Sequence, residues 1–330
     1  MRPPEFWKAD AVGRDQARVL RALLTPVSWA YAWAAARNNN AAHTARNAPV
    51  PVICIGNFTL GGAGKTPLAR AIRAKLGPNA HTLSRGYGGR IAGPLRVTPD
   101  MDAREVGDEP LLHAADGPAW IARDRVAGAM AAASAGAHAI VMDDGFQNPG
   151  LAKDLSIVAV DAAYGVGNGE VFPAGPLRER LEDGLARADA IVFVGAREAA
   201  PDWLDGFKGP VLSAELRPTA APPEGPLVAF AGLARPEKFF DTLESAGADI
   251  EEALPFPDHH PYEADDLDLI ARIAAERGAR LITTEKDAAR LTPEWRARVL
   301  VLPVTAHFSD EAALDALLAP VRARMAATHG

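Results

Sequence analysis

Lys65 and Thr66 follow four small residues, Gly61-Gly62-Ala63-Gly64, and this is the stretch of the chain best suited to chemistry. Small residues let successive backbone N–H groups curl around an anion. Lys65 adds a mobile positive charge, and the hydroxyl of Thr66 is the usual Mg²⁺ ligand in such a loop. Thr59 stands where the pattern G-x-x-x-x-G-K-[ST] has its first glycine. An ordinary glycine turn is the competing reading, but the apolar strand before and helix after the intact Gly-Lys-Thr argue for a nucleotide-phosphate cradle. The cradle runs over Thr59, Leu60, Gly61, Gly62, Ala63, Gly64, Lys65 and Thr66.

Four further groups have the right types for phosphate chemistry. Asp143 and Asp144 end the apolar run 138–142, as a Mg²⁺-binding acid does at a strand terminus; capping a helix is the alternative. Asp108, in Val-Gly-Asp-Glu-Pro (106–110), reads first as a helix cap, and second as a carboxylate able to take a proton from an attacking hydroxyl. His259 and His260 are adjacent, so their side chains diverge; a histidine–carboxylate pair across a cleft suits them better than zinc. Arg85, Arg123 and Arg178 sit in or beside loops and are candidates for grasping a phosphorylated substrate.

These groups need elements to hold them. The sequence predicts strands at Val52–Ile55, Ala80–Ser84, Ala119–Ala122, Ala139–Asp143, Ser156–Asp161 and Ala190–Val194, with helices such as Leu68–Leu76 and Arg125–Ala135 between them. Pro67 suits the first helical position and Gly77 a helix stop. The pattern is α/β: a P-loop NTPase-type, mostly parallel sheet covered by helices on both faces. A proline-rich stretch, 218–223, reads as a linker to a smaller second α/β domain. That domain has predicted strands Leu227–Ala231, Ile250–Phe256, Arg280–Thr284 and Val299–Leu302, and helices Glu237–Ser245, Ala264–Arg277 and one from Asp310. The expected division is 1–46, 47–217 and 218–330, with substrate bound in the cleft between the larger units.

Composition restricts the function. A net charge of −7 argues against nucleic acid as partner, and the single Cys54 excludes an internal disulfide and suits a reducing cytosol. Residues 1–46 run the other way: seven Lys/Arg against three acids give a local charge of +4. Within them, Ala22–Ala36 is uncharged but too short to span a bilayer, which takes about 20 apolar residues. Leu20, Leu23, Leu24, Val27 and Tyr31 fall at helical spacing among tryptophans and arginines. A helix lying in a membrane interface and a helix packed on the core fit that pattern equally.

In order along the chain, GNFTLGGAGKTP (56–67), SRGYGG (84–89), VGDEP (106–110), DDGFQN (143–148), PAGPLRE (173–179), FPDHH (256–260) and TEKD (284–287) resemble the tetraacyldisaccharide 4′-kinase family, the membrane-associated lipid A kinases. The resemblance implies transfer of the ATP γ-phosphate to the 4′-hydroxyl of a tetraacylated glucosamine disaccharide 1-phosphate. ATP and Mg²⁺ are then expected, at the cytoplasmic face of the bacterial inner membrane, with no obligate protein partner. It implies Asp108 as catalytic acid–base residue with His259 paired to it from the second domain. Asp143, Asp144 and Glu179 would lie around Mg²⁺–ATP, and Arg123, Gln147 and Arg178 near the substrate headgroup. Asn148 departs from the family's usual histidine and is given no proton-transfer role; Ala63 replaces a frequent threonine or serine. TEKD acquires no role beyond helix capping by Glu285 and Asp287. A membrane-associated P-loop ATPase switch and a soluble metabolite kinase are the rival readings. The first leaves PAGPLRE and the histidine segment without purpose, and the second has no use for an interfacial helix.

Overall fold

The computed structural model describes residues 4–8, 15–40, 45–196 and 199–329. The strand expected before the glycine-rich loop is β1 (Val52–Asn57), buried along its whole length. β2 (Ala80–Ser84), β3 (Leu95–Val97), β4 (Ala119–Ile121), β5 (Ala139–Asp143), β6 (Leu155–Asp161), β7 (Ala190–Val194) and β8 (Val211–Pro218) join it. A second group comprises β9 (Pro226–Ala231), β10 (Asp249–Pro255), β11 (Arg280–Thr284) and β12 (Leu300–Leu302), followed by β13 (Val304–Phe308). They form a nine-stranded sheet in the order β13-β8-β7-β6-β1-β5-β2-β4-β3 and a four-stranded sheet in the order β10-β9-β11-β12.

β1 shows why these segments read as unbroken apolar runs. Ile53 and Ile55 pack on one face with Leu68 and Ile72 of helix Lys65–Leu76. Val52 and Cys54 pack on the other with Ala129 and Ala132 of helix Arg125–Ser134. A strand covered on both sides has no polar face to show. Pairing is parallel through β4, β2, β5, β1, β6, β7 and β8, so the loops after β1, β2, β4, β5 and β6 gather at one edge. That edge is where an open parallel sheet binds ligands.

Residues 218–330 do not all stay with the second sheet. The chain leaves the large sheet after Pro218 and returns after Pro303, where β13 pairs antiparallel with β8. Ala306 and Phe308 then join the cluster around Ile53 and Ile55, with Leu314, Leu318 and Val321 of helix Glu311–His329. Apolar area drives this return: the large sheet's face is covered only with these side chains in place.

The N-terminal helix, Asp15–Asn40, meets the protein along a narrow stripe. Ser28, Ala32 and Asn39 are buried at helical spacing, while Val19, Leu23, Val27, Trp29 and Trp33 are exposed. Ser28 Oγ accepts the amide of Ala174 at 2.9 Å, which ties the helix to the glycine-rich loop after β6. Among the described residues, no helix is long and apolar enough to cross a membrane.

Candidate functional site

The phosphate loop is built as its residue types require. Gly64 caps helix Lys65–Leu76 with φ of 78°, and a Cβ there would lie 2.9 Å from Val194 Cγ1, so only glycine fits. The helix begins at Lys65, which puts Pro67 third rather than first; an amide there would still lack an intrahelical partner. Asn57 Nδ2 donates to the carbonyls of Thr59 (2.6 Å) and Gly61 (3.2 Å), and Leu60 N donates to Pro176 O at 2.8 Å. Thr59 bridges to Leu177 in extended pairing and has no left-handed backbone, which explains why glycine is not needed there.

Behind the loop stand the β5 acids. Thr66 Oγ1 donates to Asp143 Oδ2 at 2.8 Å, and His113 Nε2 lies 2.9 Å from the same oxygen. Asp143 Oδ1 is buried without a hydrogen-bond partner. Such an oxygen beside the Thr66 hydroxyl has the hard-donor character Mg²⁺ takes, so these residues fit the ion. Asp144 is held at φ of 54° with Arg178 Nη1 at 3.1 Å and Lys65 Nζ at 3.8 Å. Burial works to raise its pKa, but the Lys65 and Arg178 cations outweigh it and hold the carboxyl below its ordinary range.

Glu179 is placed differently. It is buried, with Oε1 accepting Gln147 Nε2 (3.0 Å) and Oε2 accepting Asn39 Nδ2 (2.7 Å) and the Arg187 guanidinium. Among the described residues no group of three or more His, Cys, Asp or Glu side chains is arranged to hold a metal ion. Through its own hydrogen bonds Glu179 links the N-terminal helix to Gln147, whose Nε2 also reaches Asn57 O at 3.1 Å.

The candidate acceptor side, around Asp108 and His259, lies where the two sheets meet. Gly107, at φ of 92° and with no room for a Cβ against Tyr87 O, turns the chain into helix Asp108–Asp116. Asp108 is the first residue of that helix, and its Oδ1 accepts the amide of Glu109 at 2.9 Å. His259, from the loop after β10, brings Nδ1 to 3.0 Å from Asp108 Oδ2, and Arg290 Nε lies 3.3 Å from the same oxygen. His259 sits at φ of 57°, a conformation costing on the order of 1 kcal/mol, and its amide donates to Gly232 O at 3.2 Å. Burial raises the Asp108 pKa; the His259 hydrogen bond and the Lys286 and Arg290 charges outweigh it and pull the carboxyl down to about 2.

A depressed folded-state pKa stabilises the fold above the unfolded value of 3.8 and loses that contribution as pH falls toward about 2. The shift corresponds to about 2 kcal/mol. Asp108→Asn is therefore expected to flatten the dependence of unfolding free energy on pH between those two values, measured by urea denaturation. An unchanged acid limb would show that Asp108 is not held as described.

Arg85 and Arg123 are exposed, and the backbone amide of Arg123 donates to Ala92 O at 2.7 Å. The buried arginine at this edge is Arg125, two residues on. Its Nε has no partner, and burial followed by repulsion from Arg85 lowers its pKa to about 10. Sequence reasoning passed over it, and also over His113, Lys286 and Arg290. His113 left one signal, a polar residue inside the apolar run Leu111-Leu112-His113-Ala114. TEKD proves to be part of the site: Thr284 caps helix Glu285–Arg290, Glu285 takes Arg70 Nη1 at 3.0 Å, and Lys286 Nζ reaches Glu109 at 3.0 Å. Asp287 is fully buried and accepts Tyr262 Oη (2.7 Å), Gly232 N (2.8 Å) and Arg290 Nη2 (2.9 Å).

A phosphate cradle alone would serve any P-loop ATPase. Here a buried carboxylate sits on the helix whose His113 touches the strand-end acid, and a second sheet brings it a histidine; donor and acceptor sides together make this a P-loop kinase. The family model for tetraacyldisaccharide-1-P 4′-kinase matches residues 20–322. A tetraacyldisaccharide 4′-kinase of Phenylobacterium zucineum is 54% identical over 96% of this chain and 98% of its own, and one of Hyphomonas neptunium is 51% identical over 97% and 98%. The crystal structure of Aquifex aeolicus LpxK in complex with ATP is similar at 27% identity and a TM-score of 0.73, covering 92% of this chain and 99% of that one. The chain belongs to the tetraacyldisaccharide-1-P 4′-kinase family.

Proposed function

We propose that this chain transfers the γ-phosphate of ATP to the 4′-hydroxyl of a tetraacyldisaccharide 1-phosphate, giving the 1,4′-bisphosphate (lipid IVA). The observation that carries this reading is the Asp108–His259 pair, a dry carboxylate formed across the two sheets. The backbone amides of Gly61 to Lys65 and the Lys65 ammonium bind the phosphates. Thr66 and Asp143, with Asp144 beside them, would hold Mg²⁺, which when bound supplies charge neutralisation at the phosphate oxygens. Glu179 would act on that site from behind, through Gln147. Arg178 and Gln147, with the exposed Arg85 and Arg123, would bind the phosphorylated headgroup.

Asp108 Oδ1 has a lone pair left for the acceptor hydroxyl. As the hydroxyl oxygen bonds to the γ-phosphorus, the bond to the β–γ bridging oxygen breaks with its electron pair leaving on ADP, and the proton passes to Asp108. A carboxyl with so low a pKa is a weak base, but a loose transition state asks little of one: the hydroxyl becomes acidic only as transfer proceeds. An arriving phosphate also raises the Asp108 pKa. Orientation of the hydroxyl is its larger contribution. Labelled ATP with detergent-dispersed tetraacyldisaccharide 1-phosphate tests the reading: label in the lipid supports it, and ATP hydrolysis without labelled lipid supports the ATPase switch.

The chain would act as a peripheral protein at the cytoplasmic face of the inner membrane. Its N-terminal helix turns Leu23, Val27, Trp29 and Trp33 away from the protein, with arginines nearby. Deleting residues 1–40 would also take Asn39 from Glu179, so point variants test attachment better. Leu23→Glu with Trp33→Glu is expected to weaken cosedimentation with anionic vesicles by about tenfold or more, since each apolar side chain withdrawn costs roughly 1.5–3 kcal/mol. Undiminished binding would put the helix elsewhere.

A further inference from the structure

Besides its charge beside Asp108, Lys286 places its side chain against the histidine of the pair. Nζ is 3.3 Å from Nε2 of His259 and 3.0 Å from Oε1 of Glu109. An ammonium group only donates, so the ring nitrogen facing it must accept. The ring's other nitrogen faces the Asp108 carboxylate, which only accepts. One protonation state satisfies both contacts: a neutral imidazole with its proton on Nδ1. We propose that Lys286 fixes this tautomer of His259, so that the histidine donates to Asp108, cannot itself receive the substrate's proton, and leaves Asp108 as the sole proton acceptor of the pair.

The surroundings favour the same state. Asp258 Oδ1, the other group near Nε2, is 3.9 Å away, beyond hydrogen-bonding distance. Lys286 stays protonated because the Glu109 and Asp108 carboxylates outweigh its burial and raise its pKa. A second proton on His259 would set an N–H against an ammonium. The charged and titratable groups that face the pair are Asp108 and Glu109 from their shared helix, Lys286 and Arg290 from helix Glu285–Arg290, and Asp258 from the histidine's own loop. Tyr87, after β2, lies with its ring centroid 5.4 Å from the imidazole. Lys286 is a positioning residue: it acts through His259 and touches no reacting atom.

The inference rests on the lipid-kinase reading only in its kinetic arm. The full chain with ring-¹⁵N-labelled histidine, assigned with His259→Asn, gives the tautomer directly and without substrate. The native protein is expected to show His259 with the proton on Nδ1 and a bare, hydrogen-bond-accepting Nε2. Lys286→Met should admit the Nε2–H tautomer or the imidazolium, and Lys286→Arg, still a donor, should keep the native pattern. With lipid substrate, Lys286→Met should lower kcat about 10- to 100-fold, with KM for ATP little changed. Lys286→Arg should recover most of the loss. A native spectrum with the proton on Nε2 overturns the proposal, and so does a Lys286→Met spectrum identical to the native one. If Lys286→Met does not fold, the native and Lys286→Arg spectra still decide. A native protein that leaves the lipid unlabelled defeats the functional reading while the spectra stand.

Discussion

Asp108→Ala is expected to lower kcat for lipid phosphorylation by roughly 10² to 10⁴, the range for removing a positioned acid–base group. KM for ATP should move little if, as proposed, the loop at 59–66 and not this helix binds the nucleotide. The variant loses the acceptor's hydrogen-bond partner and leaves Arg290 and Lys286, which now flank the carboxylate, as neighbouring cations. Asp108→Asn separates these effects, since it keeps the shape and one hydrogen-bond acceptor but cannot take a proton under a positive field. If orientation is the larger contribution, Asn should retain more activity than Ala while both stay far below the native enzyme. Steady-state kinetics on protein with a native-like thermal transition is the measurement. A folded Asp108→Ala with near-normal kcat would eliminate Asp108 as proton acceptor.

Much of this candidate site could be read from residue types because its proposed phosphate-handling groups lie at or just after strand ends. The loop after β1 and the aspartates closing β5 announce themselves locally: an apolar run stops, and a charge or a glycine follows. Asp108 does not, since a carboxylate opening a helix is an ordinary cap; the sequence resemblance supplied its role, and the contact with His259 spans 151 positions. Lys286 and Arg290 were illegible for the same reason. Their spacing fits one face of a short helix, and nothing local says that face meets Asp108.

The fold divides along similar lines. Strands buried on both faces were placed within a residue or two, whereas β3, β8 and β13 were missed. β8 alternates exposed and half-buried side chains along Glu215, Leu216 and Arg217, and its end at Pro218 reads as the start of a linker. β13 follows β12 with only Pro303 between them, so one apolar stretch serves two sheets. Periodicity reports that a strand exists; it does not name its partner. The N-terminal helix is an intermediate case. Its apolar face was visible, but only the buried Ser28, Ala32 and Asn39 show that a different face meets the protein.

Lys65→Ala is expected to cut kcat/KM for ATP by about 10² to 10³, the cost of removing one preorganised charge or donor from a developing anion. The side chain is only 10% exposed, and its ammonium lies 3.8 Å from Asp144, too far for a strong hydrogen bond. Arg178 is closer to that carboxylate at 3.1 Å, so Asp144 keeps a cation when Lys65 is lost. The variant should therefore fold, and Asp144 should stay ionised. Backbone amides and the helix N-terminus remain to bind the ground-state phosphates, so ATP affinity measured by calorimetry should fall less than kcat. Lys65→Arg should not restore activity, because a planar guanidinium delivers its charge as a rigid fork where the loop is shaped for a compact ammonium. Equal losses in ATP affinity and in kcat/KM, with kcat unchanged, would make Lys65 a binding group only and move the burden of charge stabilisation to Thr66, Asp143 and the Mg²⁺ they are proposed to hold.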